Sequence, residues 1–553
     1  VIADHRTDHC LGDIVRRNAE RFADVPAYRA HGHGITHHEL YRRAAALAAA
    51  LAAAGLRRAD RIALFGRNSI AFGEVLAAGQ LSGITVATVN FRLAPPEIAR
   101  ILAEARPRAL FVDAEFLPVV EAIRADLDLE LIVRIDAPPG RSDAGPVPVA
   151  TESSPDVTSA GTVDYKEFVA SAAGADLPFA ARPDDIACLI FTSGTTGRPK
   201  GVILGQRELF AGAHMMNVEM RTGSDDRILL TMPLFHIGAM AMALGIHARG
   251  GTAVLHPQFD PGAVLADVPA ERVTVLHLAP TMLQALLTEA ASVASFGRPG
   301  PLSGVRTVVY SAAPITATTL RAALAAMPDA GFLNLYGQTE VMTSGLPREL
   351  HRGDGPGRDR RLASVGHPFP DTDIRIVDDG GGDCPPGIPG EILVASPAMF
   401  RGYWNDSAAT TATLVDGWCH TGDIGLVDDE GLLHLVDRKK DVIISGGENV
   451  YSVEVEDAVA THPAVARCAV VGVPDERFGE AVCAVVELTP AAVAAGTTLG
   501  AAELREHVAT RIARYKAPRS IVVIEALPIL PTGKIDKKRL RTELAASRQV
   551  ESA

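Results

Sequence analysis

In this chain of 553 residues, the side chains best equipped for chemistry form one run, Thr192-Ser193-Gly194-Thr195-Thr196-Gly197-Arg198-Pro199-Lys200-Gly201, directly after the apolar stretch ACLIF. Glycines allow backbone conformations that turn successive N–H groups inward, the hydroxyls add donors, and Lys200 brings a positive charge. Together these make a cradle for a polyphosphate. It is not a Walker A loop: Arg198 and Pro199 separate Gly197 from Lys200, and Gly201 stands where Ser or Thr would follow the lysine. The anion site must be local, because 53 Lys and Arg face 66 Asp and Glu for a net charge of −13. Such a surface repels polyanions and argues against a nucleic-acid partner. Cys10, Cys188, Cys384, Cys419, Cys468 and Cys483 are scattered singly, without C-x-x-C or metal-ligand spacing, which fits buried residues in a reduced, cytosolic setting.

Elements must hold that loop in place. Apolar runs RIALFG (61–66), ITVATVN (84–90), RALFVD (108–113), IACLIFTSG (186–194) and RTVVYSAA (306–313) alternate with Ala- and Leu-rich helical patterns. This predicts α/β layers with largely parallel sheets. The length allows three or four core-sized units at roughly 100–200 residues each. An Ala-rich helix is expected over Ala44–Leu56, stopped by Gly55. Residues 228–246 are apolar enough to suggest a membrane span, but Pro233 and His236 break the run, so it reads as strand, turn and helix. The first residues carry charges where a signal peptide would need an apolar run, so secretion is not expected. Residues 137–161, rich in Pro, Ser and Gly, read as an exposed loop. After residue 362, short strands separated by Gly, Pro and Asp form a β-rich unit, and the charged stretch 436–447 leads into an α+β tail.

Further clusters follow in order: Tyr336-Gly337-Gln338-Thr339-Glu340, Thr421-Gly422-Asp423, Asp437-Arg438-Lys439-Lys440-Asp441, Ser445-Gly446-Gly447-Glu448-Asn449 and Pro531-Thr532-Gly533-Lys534. With the phosphate loop they resemble the motifs of the adenylate-forming superfamily, which includes acyl-CoA synthetases, peptide-synthetase adenylation domains and luciferases. The resemblance spans almost the whole chain. It implies an α/β fold: a large N-terminal domain (1–437) of layered, mostly parallel sheets with a small β-rich subdomain, and a small mobile α+β C-terminal domain (438–553).

It also implies roles. A carboxylate attacking the α-phosphate of ATP needs charge neutralised and groups held in line. Glu340 is then the Mg²⁺ ligand. Thr339, Thr192, Ser193, Thr195 and Thr196 donate to phosphate oxygens, with Gly194, Gly197 and Lys200 completing the cradle and Gly337 and Gln338 belonging to the same ATP-binding motif. The turn Ser311-Ala312-Ala313-Pro314 lies against adenine, Asn334 accepts from its amino group and Tyr336 stacks. Ala312 stands where many relatives have Gly, expected to narrow the site only mildly. Asp423 accepts the ribose hydroxyls and Arg438 adds a donor. Lys534 places an ammonium between carboxylate and α-phosphate, whereas Lys537, Lys538 and Arg539 are expected to form a solvated basic face.

His236 matches the residue at the mouth of the acyl pocket, in a gating or positioning role, with Gly238, Ala239, Met240, Val341 and Met342 as apolar walls. No Asp follows Leu234-Phe235-His236 to pair an α-amino group, which favours an apolar carboxylate, fatty, alicyclic or aryl. Gly446 and Gly447 look like the CoA-ligase form of their turn. Arg514, Lys516 and Arg519 are candidates for CoA phosphates, and Lys440 matches the hinge. The implied activity is an AMP-forming acid–thiol ligase using ATP, Mg²⁺ and CoA, cytosolic, with a homodimer left open. Two rivals stand beside it: an acyl-AMP ligase serving a separate carrier protein, and a nucleotide-binding relative without turnover.

Overall fold

Strands built of unbroken Val, Ile, Leu and Ala persist in water only when both faces are covered. The structure, a computed structural model describing residues 9–136, 162–193, 199–293, 300–352, 357–445, 448–475, 477–530 and 535–551, buries them accordingly: Ile62 through Phe65 and Ala109 through Val112 have no exposed surface. The loop expected at 137–161 lies outside the described residues. Two compact units divide the chain, Val1–Ile374 with Val394–Cys419, and Arg375–Leu393 with His420–Ala553.

The first unit holds two large sheets. A seven-stranded sheet runs Thr162–Asp164, Leu131–Ile135, Ala109–Asp113, Arg61–Phe65, Thr85–Thr88, Ile186–Ser193, Pro199–Gly205; all neighbours are parallel except the last pair. A nine-stranded sheet runs His367–Pro368, Met342–Leu346, Gly331–Gly337, Thr307–Ser311, Val275–Leu278, Arg227–Leu230, Thr252–Leu255, Pro26–Ala30, His33–Thr36, parallel through its centre and antiparallel at both ends. The expected α/β layers are therefore present, distributed over two sheets. In such sheets ligands gather at the carboxyl ends of the strands.

Residues 228–246 form the expected strand, Arg227–Leu230, and helix, Ile237–His247. Among the described residues no helix is long and apolar enough to cross a membrane. The Ala-rich helix begins earlier than its composition suggests, at His37, because Thr36 and Glu39 form a reciprocal capping box, and it ends at Ala53, ahead of Gly55 with φ +91°.

In the second unit, Gly479–Leu488 pairs antiparallel with Val465–Asp475 and parallel with Ser520–Val523, and Ile443–Ser445 and Glu448–Val450 extend the sheet. Helices Ser452–Ala460 and Ala501–Ala509 cover it through Val455, Val459, Leu504 and Val508. The short strands expected after residue 362 include Trp418–Val427 and Leu433–Arg438, paired antiparallel with Asp423 opposite Arg438.

Candidate active site

The phosphate loop springs from a hairpin. Ile186–Ser193 and Pro199–Gly205 pair so that Thr192 lies opposite Lys200 and Ser193 opposite Pro199. Thr192 Oγ1 donates across the stem to the Lys200 carbonyl at 3.5 Å. Gly194, Thr195, Thr196 and Gly197, the tip of the cradle, lie outside the described residues. Lys200 Nζ sits 4.7 Å from the centre of the Tyr403 ring, and the Tyr403 hydroxyl donates to Glu340 Oε1 at 2.8 Å. The loop stem and the expected metal carboxylate therefore meet on one side chain that the motifs did not contain.

Glu340 is delivered by a tight turn after Gly331–Gly337, closed by Gln338 N–H donating to the Val341 carbonyl at 2.8 Å. Gly337 is required there, since a Cβ would lie 2.9 Å from the Val341 oxygen. Thr339, Tyr336 and Gln338 are partly buried on the same turn and strand end.

Asn334, on the same strand, is buried. Its Nδ2 donates to the Tyr310 carbonyl at 3.5 Å, and its Oδ1 is buried without a partner. An orphaned acceptor of this kind carries a desolvation penalty that a ligand N–H would relieve. The neighbouring strand, Thr307–Ser311, ends in the turn through Ala312, Ala313 and Pro314, all exposed. Ala312 has φ +74°, so beside the mild narrowing expected from its methyl group there is a backbone cost, since glycine adopts this conformation without strain. Beneath the turn, His277 Nε2 and Ser311 Oγ share a hydrogen bond at 2.9 Å. Burial, and then the nearby His236, lower the His277 pKa from 6.5 to about 4, so its imidazole is neutral.

His236 stands at the N-terminus of helix Ile237–His247, its carbonyl accepting from Met240 N–H at 3.1 Å. The turn before it is clamped by buried Asn68, whose Nδ2 donates to the Met232 carbonyl at 2.9 Å and whose Oδ1 accepts from Leu234 N–H at 2.7 Å. Thr88 Oγ1 adds a bond to the Phe235 carbonyl at 3.1 Å. Of the expected acyl walls, Ala239, Met240 and Val341 are buried and Gly238 is partly so, lying against His277. Met342 packs toward Gly212 of helix Gln206–Met220.

In the second unit, Asp423 is buried and paired with the half-exposed Arg438 across the two strands, Nε to Oδ1 at 2.6 Å. Lys440 is exposed in the turn after Arg438. Asp437 accepts from both the N–H and the Oγ of Ser452. Lys537 donates to Ser452 Oγ at 2.7 Å and pairs with Glu456 at 2.7 Å. Lys537 is therefore a half-buried network residue and no part of a solvated face, whereas Arg539 is exposed and pairs within its own helix with Glu543. Lys516 is held by both oxygens of Glu454 at 2.6 and 2.7 Å, Arg514 is exposed beside Glu506, and Arg519 stacks on Phe478 at 3.7 Å. Gly446, Gly447 and Lys534 lie outside the described residues. All six cysteines are free thiols.

The chain matches the family model described as AMP-binding enzyme over residues 15–404, and that of the AMP-binding enzyme C-terminal domain over residues 454–534. The chain belongs to the AMP-binding enzyme family. It is 37% identical over 535 residues to a feruloyl-CoA synthase from Amycolatopsis sp., covering 96% of this chain and 98% of that one. It is 34% identical over 531 residues to the fatty acid–[acyl-carrier-protein] ligase ScoC of Streptomyces coeruleorubidus, covering 95% and 94%. Among solved structures, it resembles the o-succinylbenzoate coenzyme A synthetase MenE of Bacillus subtilis in complex with ATP and magnesium ion, with TM-score 0.79, 27% identity and coverage of 97% and 100%.

In this AMP-binding enzyme, Thr192, Ala312, Glu340 and His236 lie at or beyond the carboxyl ends of Ile186–Ser193, Thr307–Ser311, Gly331–Gly337 and Arg227–Leu230, with Asn334 within Gly331–Gly337 and Lys200 at the start of the antiparallel Pro199–Gly205. Tyr403, Asn68 and His277 escaped the sequence reading. Of these, Tyr403 alone left a signal, a Gly-Tyr-Trp run outside any strand in a chain with 5% aromatic residues.

Proposed function

We propose that this AMP-binding enzyme is an AMP-forming acyl-CoA synthetase for apolar carboxylic acids, with aryl acids the first class to test. The observation that carries the reading is the convergence of Lys200 and Glu340 on Tyr403 beside the phosphate loop: a cation and a carboxylate held at the point a triphosphate would reach. The orphaned Asn334 Oδ1 fits the exocyclic amine of adenine.

Glu340 would hold Mg²⁺, and the bound cation would offset phosphate charge there. Glu340, whose Oε1 accepts from the Tyr403 hydroxyl at 2.8 Å, suits a cation bound by one carboxylate and its substrate's phosphates. In the first half-reaction a carboxylate oxygen bonds to the α-phosphorus and the α–β anhydride breaks, giving acyl-AMP and pyrophosphate. Lys200, Thr192 and Thr339 orient the phosphates, while Lys534 offsets the repulsion between the two anions. In the second, the CoA thiol releases its proton to solvent, its sulfur bonds to the acyl carbon, and the bond from that carbon to the phosphate oxygen breaks as AMP leaves. The neutral His277 and the position of His236 agree with a positioning role at the acyl group.

The reading includes Asp423 and Arg438 at the ribose and a lid comprising residues 438–553 that pivots at Lys440. It also places Gly446, Gly447 and Arg514 along CoA. Lys516 would reach a CoA phosphate only by leaving Glu454. A cytoplasmic location belongs to the same reading, and light scattering decides between monomer and homodimer. The 34% identical carrier-protein ligase keeps carrier loading as the weaker alternative.

The test is mass spectrometry of products from ATP, Mg²⁺ and a panel of aryl, alicyclic and fatty acids, with and without CoA. Acyl-CoA and AMP from one subset are expected. Acyl-AMP that never passes to CoA would shift the assignment to carrier loading, and absence of pyrophosphate with every acid would overturn the enzyme.

A further inference from the structure

A carboxylate on a turn rotates freely about its own side chain unless something distant restrains it. For Glu340 that restraint comes from the segment at 400–404. Phe400 N–H donates to the Glu340 carbonyl at 2.7 Å, fixing the backbone. The same segment is laced to the phosphate-loop stem: Arg401 N–H donates to the Ile203 carbonyl at 3.0 Å, Ile203 N–H to the Gly402 carbonyl at 3.0 Å, and Trp404 N–H to the Gly201 carbonyl at 2.7 Å. Tyr403 pairs with Val202 as a β-bridge, and its own N–H donates to Thr410 Oγ1 at 2.8 Å. Its ring face then meets the Lys200 ammonium at 4.7 Å and its hydroxyl meets Glu340 Oε1 at 2.8 Å. One anchored side chain thus addresses both charges at once, the cation through the ring quadrupole and the anion through the O–H. The residue is 8% exposed, so both contacts are made away from bulk water.

We propose that Tyr403 is the positioning residue of the metal site, holding Oε1 of Glu340 so that the other oxygen faces the cation, and setting Lys200 beside the same phosphates. The inference rests on the reading of Glu340 as the Mg²⁺ ligand.

Tyr403→Phe keeps the ring and its contact with Lys200 and deletes only the hydroxyl. The primary readout is Mn²⁺ binding to the full-length enzyme with α,β-methylene-ATP, followed by electron paramagnetic resonance; the second is the Mg²⁺ midpoint for pyrophosphate release. Losing one hydrogen bond to a charged acceptor should weaken Mn²⁺ binding about tenfold and raise the Mg²⁺ midpoint about as much. The thermal midpoint and the KM for the acid should stay at wild-type values. Tyr403→His, which retains an N–H donor, should fall between Phe and wild type. Unchanged Mn²⁺ affinity and Mg²⁺ midpoint in Tyr403→Phe would overturn the proposal, as would failure of both variants to fold, which would make Tyr403 a core residue. Glu340→Gln separates the two levels. Wild-type Mn²⁺ binding in that variant defeats the metal reading itself, whereas weak binding there with normal binding in Tyr403→Phe defeats only the role of Tyr403.

Discussion

Replacing Asn334 by Leu should move stability and nucleotide recognition in opposite directions. Asn334 Oδ1 is buried without a partner, and its Nδ2 makes a long bond of 3.5 Å to the Tyr310 carbonyl. The assignment of the amide follows from chemistry: the Tyr310 carbonyl can only accept, so the NH₂ group must face it and the oxygen must face the site. An unsatisfied buried acceptor costs about 1–3 kcal/mol, and the stretched bond that would be lost returns about 0.5 kcal/mol. The net gain on removing the amide is then about 1 kcal/mol. In a unit of this size that raises the thermal midpoint of the ligand-free enzyme by about 1–2 °C. Recognition should suffer instead. The bond from the adenine amino group contributes about 1 kcal/mol, a factor of about five in KM for ATP. The sharper assay is competition between ATP and ITP in pyrophosphate release. ITP presents a carbonyl oxygen where ATP has its amine, so wild-type enzyme should prefer ATP and Asn334→Leu should lose most of that preference. A variant that is destabilised, or that still discriminates ATP from ITP as wild type does, would refute the reasoning.

Ala312→Gly should relieve the left-handed backbone at φ +74°, worth about 0.5–1 kcal/mol after the added chain entropy of glycine; calorimetry should show a higher midpoint with no increase in KM for ATP. Lys534→Ala should abolish pyrophosphate release while leaving thioester formation from supplied acyl-AMP largely intact, and equal loss of both half-reactions would remove Lys534 from the first step. The buried histidines predict acid sensitivity: His37, His277 and His351 have pKa values lowered from 6.5 to about 4, and His247 to about 3, burial being the first cause in each case. Their folded pKa values lie below the unfolded one, so the unfolded chain binds more protons between pH 6.5 and 4. Stability is full above pH 6.5 and is lost as pH falls through that window, by about 3 kcal/mol for His277 alone. Denaturant midpoints from pH 7.5 to 4 should decline, and His277→Gln should shallow the decline.

What the sequence disclosed was whatever is contiguous in it. Thr192 to Gly201 and Tyr336 to Glu340 are runs whose residue types carry their own chemistry, and alternating apolar runs identified parallel strands because such strands are buried on both faces. The strand that ends at Ser193 and the strand that ends at Gly337 belong to different sheets, and no local pattern states which strands will be neighbours. What remained hidden depends on pairs far apart. Asn68 clamps Met232 and Leu234, Tyr403 joins Lys200 to Glu340, and Lys537 reaches Ser452 and Glu456. Lys537 shows why: in a row of basic residues it looks solvated, and only the packing of its helix against the strand Val465–Asp475 brings its side chain to Ser452 and Glu456. Ala312 fails differently, since a residue type states its volume plainly but its φ only through the turn that constrains it. Motifs therefore name the groups that would touch substrate, whereas the residues that aim those groups emerge only once distant segments are brought together. The proposal for Tyr403 accordingly rests on geometry, and its test is a metal titration in which a lost hydroxyl, with the fold intact, has to register.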